Sequence, residues 1–124
     1  MNLTDSQNLE RHLLCSATDL AERQPRGFRI GNGQNVLNVL VLKIDGQIHA
    51  FENTCPHTGV PLDWGDGRFM DLTGAYLQCS THGALFRLDD GYCVRGPCAR
   101  QSLKSLAIRI DEGLVYLLRE LAAS

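Results

Sequence analysis

Four side chains in two short segments of this chain could hold a metal. Cys55-x-His57 is followed, after the 21 residues 58–78, by Cys79-x-x-His82. A thiolate and an imidazole one or two residues apart can turn toward one metal-sized object from a single loop. Two such loops supply two sulfur and two nitrogen ligands. A single tetrahedral zinc, a mononuclear copper or iron, and a [2Fe–2S] cluster with both thiolates on one iron and both imidazoles on the other can each use such a set. Spacing discriminates among them. A zinc finger pairs Cys with Cys and His with His, whereas each segment here offers one of each. A binuclear cluster accounts for that division, and it requires the two loops to lie side by side.

The elements that must position these loops read as strands. The segments echo each other as Cys55-Pro56-His57-Thr58-Gly59 and Cys79-Ser80-Thr81-His82-Gly83, each after an expected strand. Strands are expected at 13–16, 27–30, 36–44 and 47–52, with a helical turn at 18–22 capped by Ser16 or Thr18. Gly31-Asn32-Gly33 reads as a turn and Asp45-Gly46 as a hairpin. Residues 53–73 carry little periodicity. Short strands follow at 76–79 and 85–88, then a hairpin at Asp90-Gly91 and a strand at 92–95. A last hairpin, 103–110 with 114–118, turns at Asp111-Glu112-Gly113. The fold class is therefore all-β, and residues 1–12 and 119–124 are expected to be flexible ends.

The motifs CPHTG at 55–59 and CSTHG at 79–83 resemble the ligand loops of the Rieske iron–sulfur family. DGQIHAFENTCPHTG at 45–59 is similar to the strand that feeds the first loop there. GALFRLDDGYCVRGP at 83–97 is similar to the strand, hairpin and Pro-containing third loop that cover the cluster. The resemblance spans roughly residues 13–118. It implies a small antiparallel β-sandwich or barrel, one domain over 1–124, with an inserted cluster-binding subdomain at about 53–98. It also implies one Rieske-type [2Fe–2S] cluster per chain, with Cys55 and Cys79 on the buried iron and His57 and His82 on the outer one. High-potential members have an extra Cys in each loop, where this chain has Val60 and Thr81, and Ser and Tyr hydroxyls where it has Ala84 and Phe86. Without those hydrogen bonds the expected potential lies at the low end of the Rieske range, about −150 mV.

The function implied is one-electron transfer, as a ferredoxin component between a flavin-dependent reductase and a terminal oxygenase or reductase, and not catalysis by this chain alone. One alternative is the small subunit of a nitrite-reductase-like oxidoreductase. Another, outside the family, is a structural zinc-binding interaction module. No G-x-G-x-x-G fingerprint stands between a strand and a helix, so nicotinamide oxidation falls to a partner.

Composition narrows the setting. The 124 residues carry a formal charge of −2, which argues against a nucleic-acid partner and suits a basic patch on a protein partner. No run of about 18 apolar residues offers a membrane span, and residues 1–14 do not read as a secretory signal, so a cytoplasmic location is expected. Of the five cysteines, Cys15, Cys93 and Cys98 are expected as reduced, part-buried thiols. Cys93 and Cys98 flank Gly96-Pro97 and could bridge only if their Cα atoms approach within about 7 Å. His12 and His49 read as structural, and Asp63 and Asp66 as solvated loop charges. Trp64 could pack over the first loop or line a docking face. Pro56 and Pro61 stiffen that loop, while Gly59 and Gly83 allow close backbone approach.

Overall fold

The apolar run at 36–44 organises the molecule because it is buried on both sides. In this computed structural model, which describes residues 9–31, 36–56, 59–63, 68–79, 83–97 and 100–120, the run forms β3 (Leu37–Ile44). It is flanked by β2 (Arg26–Ile30) and β4 (Gln47–Glu52), and the three make one antiparallel sheet with β3 at its centre. Successive side chains of a strand point to opposite faces. Val39 and Val41 therefore face one way and join a cluster with Leu20, Ala50, Val115 and Leu117. Leu40, Leu42 and Ile44 face the other way, into a larger cluster with Phe51, Leu77, Phe86 and both loop cysteines. A strand between two cores has no polar face at its centre, hence the continuous apolar stretch at 39–42, every residue of which is fully buried.

The first of these cores is closed by a sheet of β1 (Leu9–Ser16), β8 (Ile108–Asp111) and β9 (Leu114–Glu120), in the order β1-β9-β8. The second is closed by β5 (Tyr76–Gln78), β6 (Leu85–Arg87) and β7 (Cys93–Arg95), again antiparallel, with β6 central. This last sheet comes between β4 and β8 in the chain. Every pair of these named strands is antiparallel, as in the antiparallel sandwich or barrel expected.

Three boundaries differ from expectation. The β1–β9 pairing runs from Ser16↔Leu114 out to Leu9↔Glu120, so Leu9–His12 and Arg119–Glu120 belong to a sheet although both stretches read as flexible ends. Cross-strand packing extends it, with Arg11 lying 4.2 Å over the Tyr116 ring. The helical turn is a single 3₁₀ turn over Ala17–Asp19, with Ser16 as its cap. The strand expected over 103–110 is present only at Ile108–Asp111. The preceding residues form a strap that changes partners. Gln101 O accepts from Cys93 N–H at 2.7 Å, and Leu103 N–H donates to Gly91 O at 2.9 Å. Lys104 O then accepts from Glu52 N–H at 2.8 Å, and Leu106 N–H donates to Ala50 O at 2.9 Å. Its backbone satisfies two sheets in turn, so it cannot extend one of them. The turn expected at Gly31-Asn32-Gly33 lies mostly outside the described residues.

Candidate cluster site

Strands β4 and β5 both run into a loop headed by a buried cysteine. Cys55 is 1% exposed and Cys79 0%. The Cys55 N–H donates to Val60 O at 2.7 Å, and the Gly59 N–H donates back to Cys55 O at 2.8 Å. The second loop repeats this: Cys79 N–H to Ala84 O at 2.9 Å, and Gly83 N–H to Cys79 O at 2.8 Å. Gly59 at φ +77 and Gly83 at φ +73 make the left-handed step that lets each loop turn back on its cysteine. The two loops therefore close with the same bonds, although the histidine follows the cysteine by two positions in one and three in the other. His57 and His82 themselves lie outside the described residues, as do Trp64, Asp66, Thr81 and Cys98.

Both cysteines sit in one buried cluster with Leu62, Phe69, Leu77, Ala84, Phe86 and Cys93. A thiolate-bound iron there would be shielded from water, while the loop glycines Gly59 and Gly83 stay exposed. That polarity suits a cofactor with one inner and one outer metal. Among the described residues no three His, Cys, Asp or Glu side chains gather as a metal site. His49 lies on β4 opposite Leu42, and His12 lies on β1 opposite Leu117. Neither joins the cysteines in such a group.

Each loop has its own brace. Buried Asn53 accepts from Leu62 N–H at 2.8 Å through its side-chain oxygen and donates from Nδ2 to Asp63 at 3.1 Å. Its own N–H reaches Asn38 O on β3 at 2.8 Å. Asp63, expected to be a solvated charge, is thus part of the brace. On the second loop, the third segment presses directly. A Cβ on Gly96 would stand 2.7 Å from the Ala84 Cα, at φ +108. Three residues before that contact, within β7, the Cys93 thiol donates to Arg95 O at 3.2 Å. Cys15 lies apart from the site on β1; burial pushes its thiol up, ahead of opposing and reinforcing effects from Arg26 and Asp19, so it stays protonated at neutral pH. Neither brace was read from the sequence. The polar residue directly after a strand was the available sign of Asn53, and a glycine before a proline that of Gly96.

Residues 10–111 match the family model described as Rieske [2Fe-2S] domain. The chain belongs to that family. Over 104 residues it is 32% identical to Apoptosis-inducing factor 3 of Homo sapiens, a match that covers 84% of this chain but 16% of that longer protein. The chain thus spans less than a fifth of that relative's length. It is 29% identical over 107 residues to Ferredoxin CarAc of Metapseudomonas resinovorans, covering 86% of this chain and 92% of that one. Among solved structures, a chain from a complex of reduced oxygenase and oxidised ferredoxin in carbazole 1,9a-dioxygenase superposes with a TM-score of 0.68. It is 25% identical, and the match covers 95% of this chain and 99% of that chain. The cofactor is accordingly a Rieske-type [2Fe–2S] cluster, not a structural zinc. The cysteines, buried at the heads of matched loops, fit it. No helix among the described residues is long and apolar enough to cross a membrane.

Proposed function

We propose that Cys55 and Cys79 bind the inner iron, that His57 and His82 bind the outer iron, and that the chain is the ferredoxin component of an oxygenase system. The observation that carries this reading is the pair of loops closed by the same backbone bonds, each headed by a cysteine with at most 1% exposure. The imidazoles would place the cluster's accessible edge at the loop tips, where a docked protein can exchange one electron with it. Neutral imidazole in place of thiolate lowers the cluster's negative charge and eases reduction. The match to a ferredoxin of similar length, over 86% of this chain and 92% of that one, supports the carrier role; in this reading the carrier works between a flavin-dependent reductase and a terminal oxygenase in the cytoplasm.

The test is anaerobic purification with iron, labile sulfide, EPR and voltammetry measured on the native chain and on His57→Cys and His82→Cys. The native protein should be red-brown, with a low-average-g signal when reduced. Ala84 and Phe86, both 0% exposed, offer no hydroxyl to the cluster, so its potential should lie near the low end of the Rieske range, about −150 mV. Each His→Cys change should lower the potential and abolish the Rieske signal. An unchanged spectrum in either variant would remove that histidine from the ligand set.

A further inference from the structure

The chain is weakly acidic overall, but its charges are unevenly placed along the strands that carry the two loops. Strand β4 runs from the Asp45-Gly46 turn to the first loop, and β5 runs from Ala75 to the second. Strand β6 returns from the second loop to the turn at Asp89 and Asp90. The strand ends remote from the cysteines thus share one side of the molecule, where Arg23, Asp45, Ala75, Arg87 and Asp89 line a common hollow. Glu22 is tied to that side through the backbone N–H groups of Asp45 and Gly46. Asp71, just before β5, and Asp90 add two more carboxylates, Asp90 being paired with Arg87. Acids outnumber bases at this end.

The other end differs. Arg95 pairs with Leu85, next to the Ala84 that closes the second loop. The Arg100 N–H donates to Cys93 O at 3.2 Å. Lys104 lines a shallow groove with Pro56 of the first loop. Arg95, Arg100 and Lys104 are all exposed. Glu52 lines the same groove, where its carboxylate accepts from the Thr54 hydroxyl, and Asp63 adds a second acid at this end, held in the Asn53 brace of the first loop. The strap and the third segment therefore carry a cationic flank along both loops.

We infer that Arg95, Arg100 and Lys104 form a cationic docking flank beside the cluster, fitted to an acidic face on a redox-partner protein. The inference rests on the ligand assignment proposed above, since that assignment makes this end the site of electron exchange. Net charge suggests a basic partner; the placement of charge reverses the sign where contact occurs. With negative charge gathered at the far end, the field would orient an approaching molecule cluster-end first toward an anionic surface, and such steering raises association rates without new contacts.

The test uses holoprotein reduced with dithionite and freed of excess reductant. Two small one-electron oxidants replace the partner: ferricyanide, an anion, and tris(phenanthroline)cobalt(III), a cation. Each takes one electron from the reduced cluster, giving ferrocyanide or the cobalt(II) complex. Stopped-flow rates are compared for the native chain, the triple variant Arg95→Glu, Arg100→Glu, Lys104→Glu, the milder Arg95→Gln, Arg100→Gln pair, and a remote control, Asp45→Lys with Asp89→Lys. At about 10 mM salt the triple variant should slow ferricyanide roughly tenfold and speed the cobalt complex. The Gln pair should move both in the same directions by less, and the remote control should change each rate by less than the triple variant does. Raising salt to about 0.15 M shortens the screening length from about 30 Å to about 8 Å and should shrink every difference. Equal rates for native and charge-reversed proteins, or a remote control as effective as the flank, would overturn the inference. A native chain without iron, sulfide or the EPR signal would overturn the ligand reading and the flank with it, so the two failures are told apart.

Discussion

The two loops share one backbone pattern but are held by different physics. Loop one depends on polar bonds: Asn53 fixes the Leu62 and Asp63 segment that follows it. Loop two depends on exclusion: Gly96 leaves the space that Ala84 occupies. A hydrogen-bonded brace tolerates small displacements, because bonds can lengthen. A steric brace does not, because interiors are close-packed and repulsion rises steeply. On the proposed ligand assignment, the pattern common to both loops is the part that faces the cofactor, and the divergent part is how each is anchored to the fold.

That contrast can be broken most severely at Gly96. In Gly96→Val the new Cβ meets Ala84 backbone at 2.7 Å, in a conformation that L side chains rarely adopt. Overpacking and backbone strain together should cost roughly 3–5 kcal/mol and displace the second loop. Chemical denaturation should show the loss, and iron content per chain should fall sharply. Asn53→Leu comes next. It removes the acceptor for the buried Leu62 N–H and the donor to Asp63, at a cost of about 2–3 kcal/mol. Its cluster should remain, with a less stable chain. Equal iron loss in both variants would mean that the two braces do not differ as argued.

Much of this site can be read from the sequence, because its decisive features are local. Cys55, Cys79 and the glycines four residues beyond them announce two equivalent turns, and Ile44, Asp45 and Gly46 announce the hairpin that aims β4 at the first loop. Elements whose partners are distant in sequence were harder to read. Residues 103–106 look like the start of a strand because Leu103 and Leu106 are apolar. The backbone of residues 101–106 is shared between β7 and β4, however, and periodicity does not report that. The extended β1–β9 pairing was missed for a related reason. Residues 9–12 are mostly polar, and the apolar surface they cover comes from a strand about a hundred residues away. Charge polarity escaped as well, since net charge sums over ends that the fold keeps apart.

The shared pattern can be sharpened with a matched pair, Gly59→Ala and Gly83→Ala. Both glycines have positive φ, at +77 and +73. Among the described residues, a Cβ at Gly59 meets nothing within 4 Å, and at Gly83 only the Gln78 side-chain nitrogen at 3.7 Å. Space is available in both, so the cost should be the left-handed backbone alone, about 1–2 kcal/mol each. The two unfolding curves should nearly coincide. A clear gap between them would show that the loops are not equivalent at the cofactor-facing step.

The smallest effect concerns the far end of the strands that carry loop two. The Arg87 guanidinium, and then the Tyr92 N–H, hold the Asp90 carboxyl below the usual range. Desolvation works the other way at Asp71, but hydrogen bonds from Thr73, Tyr76, Ala75 and Gly74 outweigh it and also leave that carboxyl low. A carboxylate whose folded pKa is depressed stabilises the fold above its unfolded pKa of about 3.9, and that stabilisation disappears as pH falls through the lower folded value. Asp90→Asn should therefore lower stability slightly at neutral pH and flatten the decline below about pH 4, the change being small because the pair is exposed. Thermal unfolding from pH 7 to pH 3 measures it. Because Asp90 closes the turn between β6 and β7, at the end of β6 remote from loop two, a loss of cluster at neutral pH in this variant would mean that loop two is anchored from both ends of its strands and not by Gly96 alone.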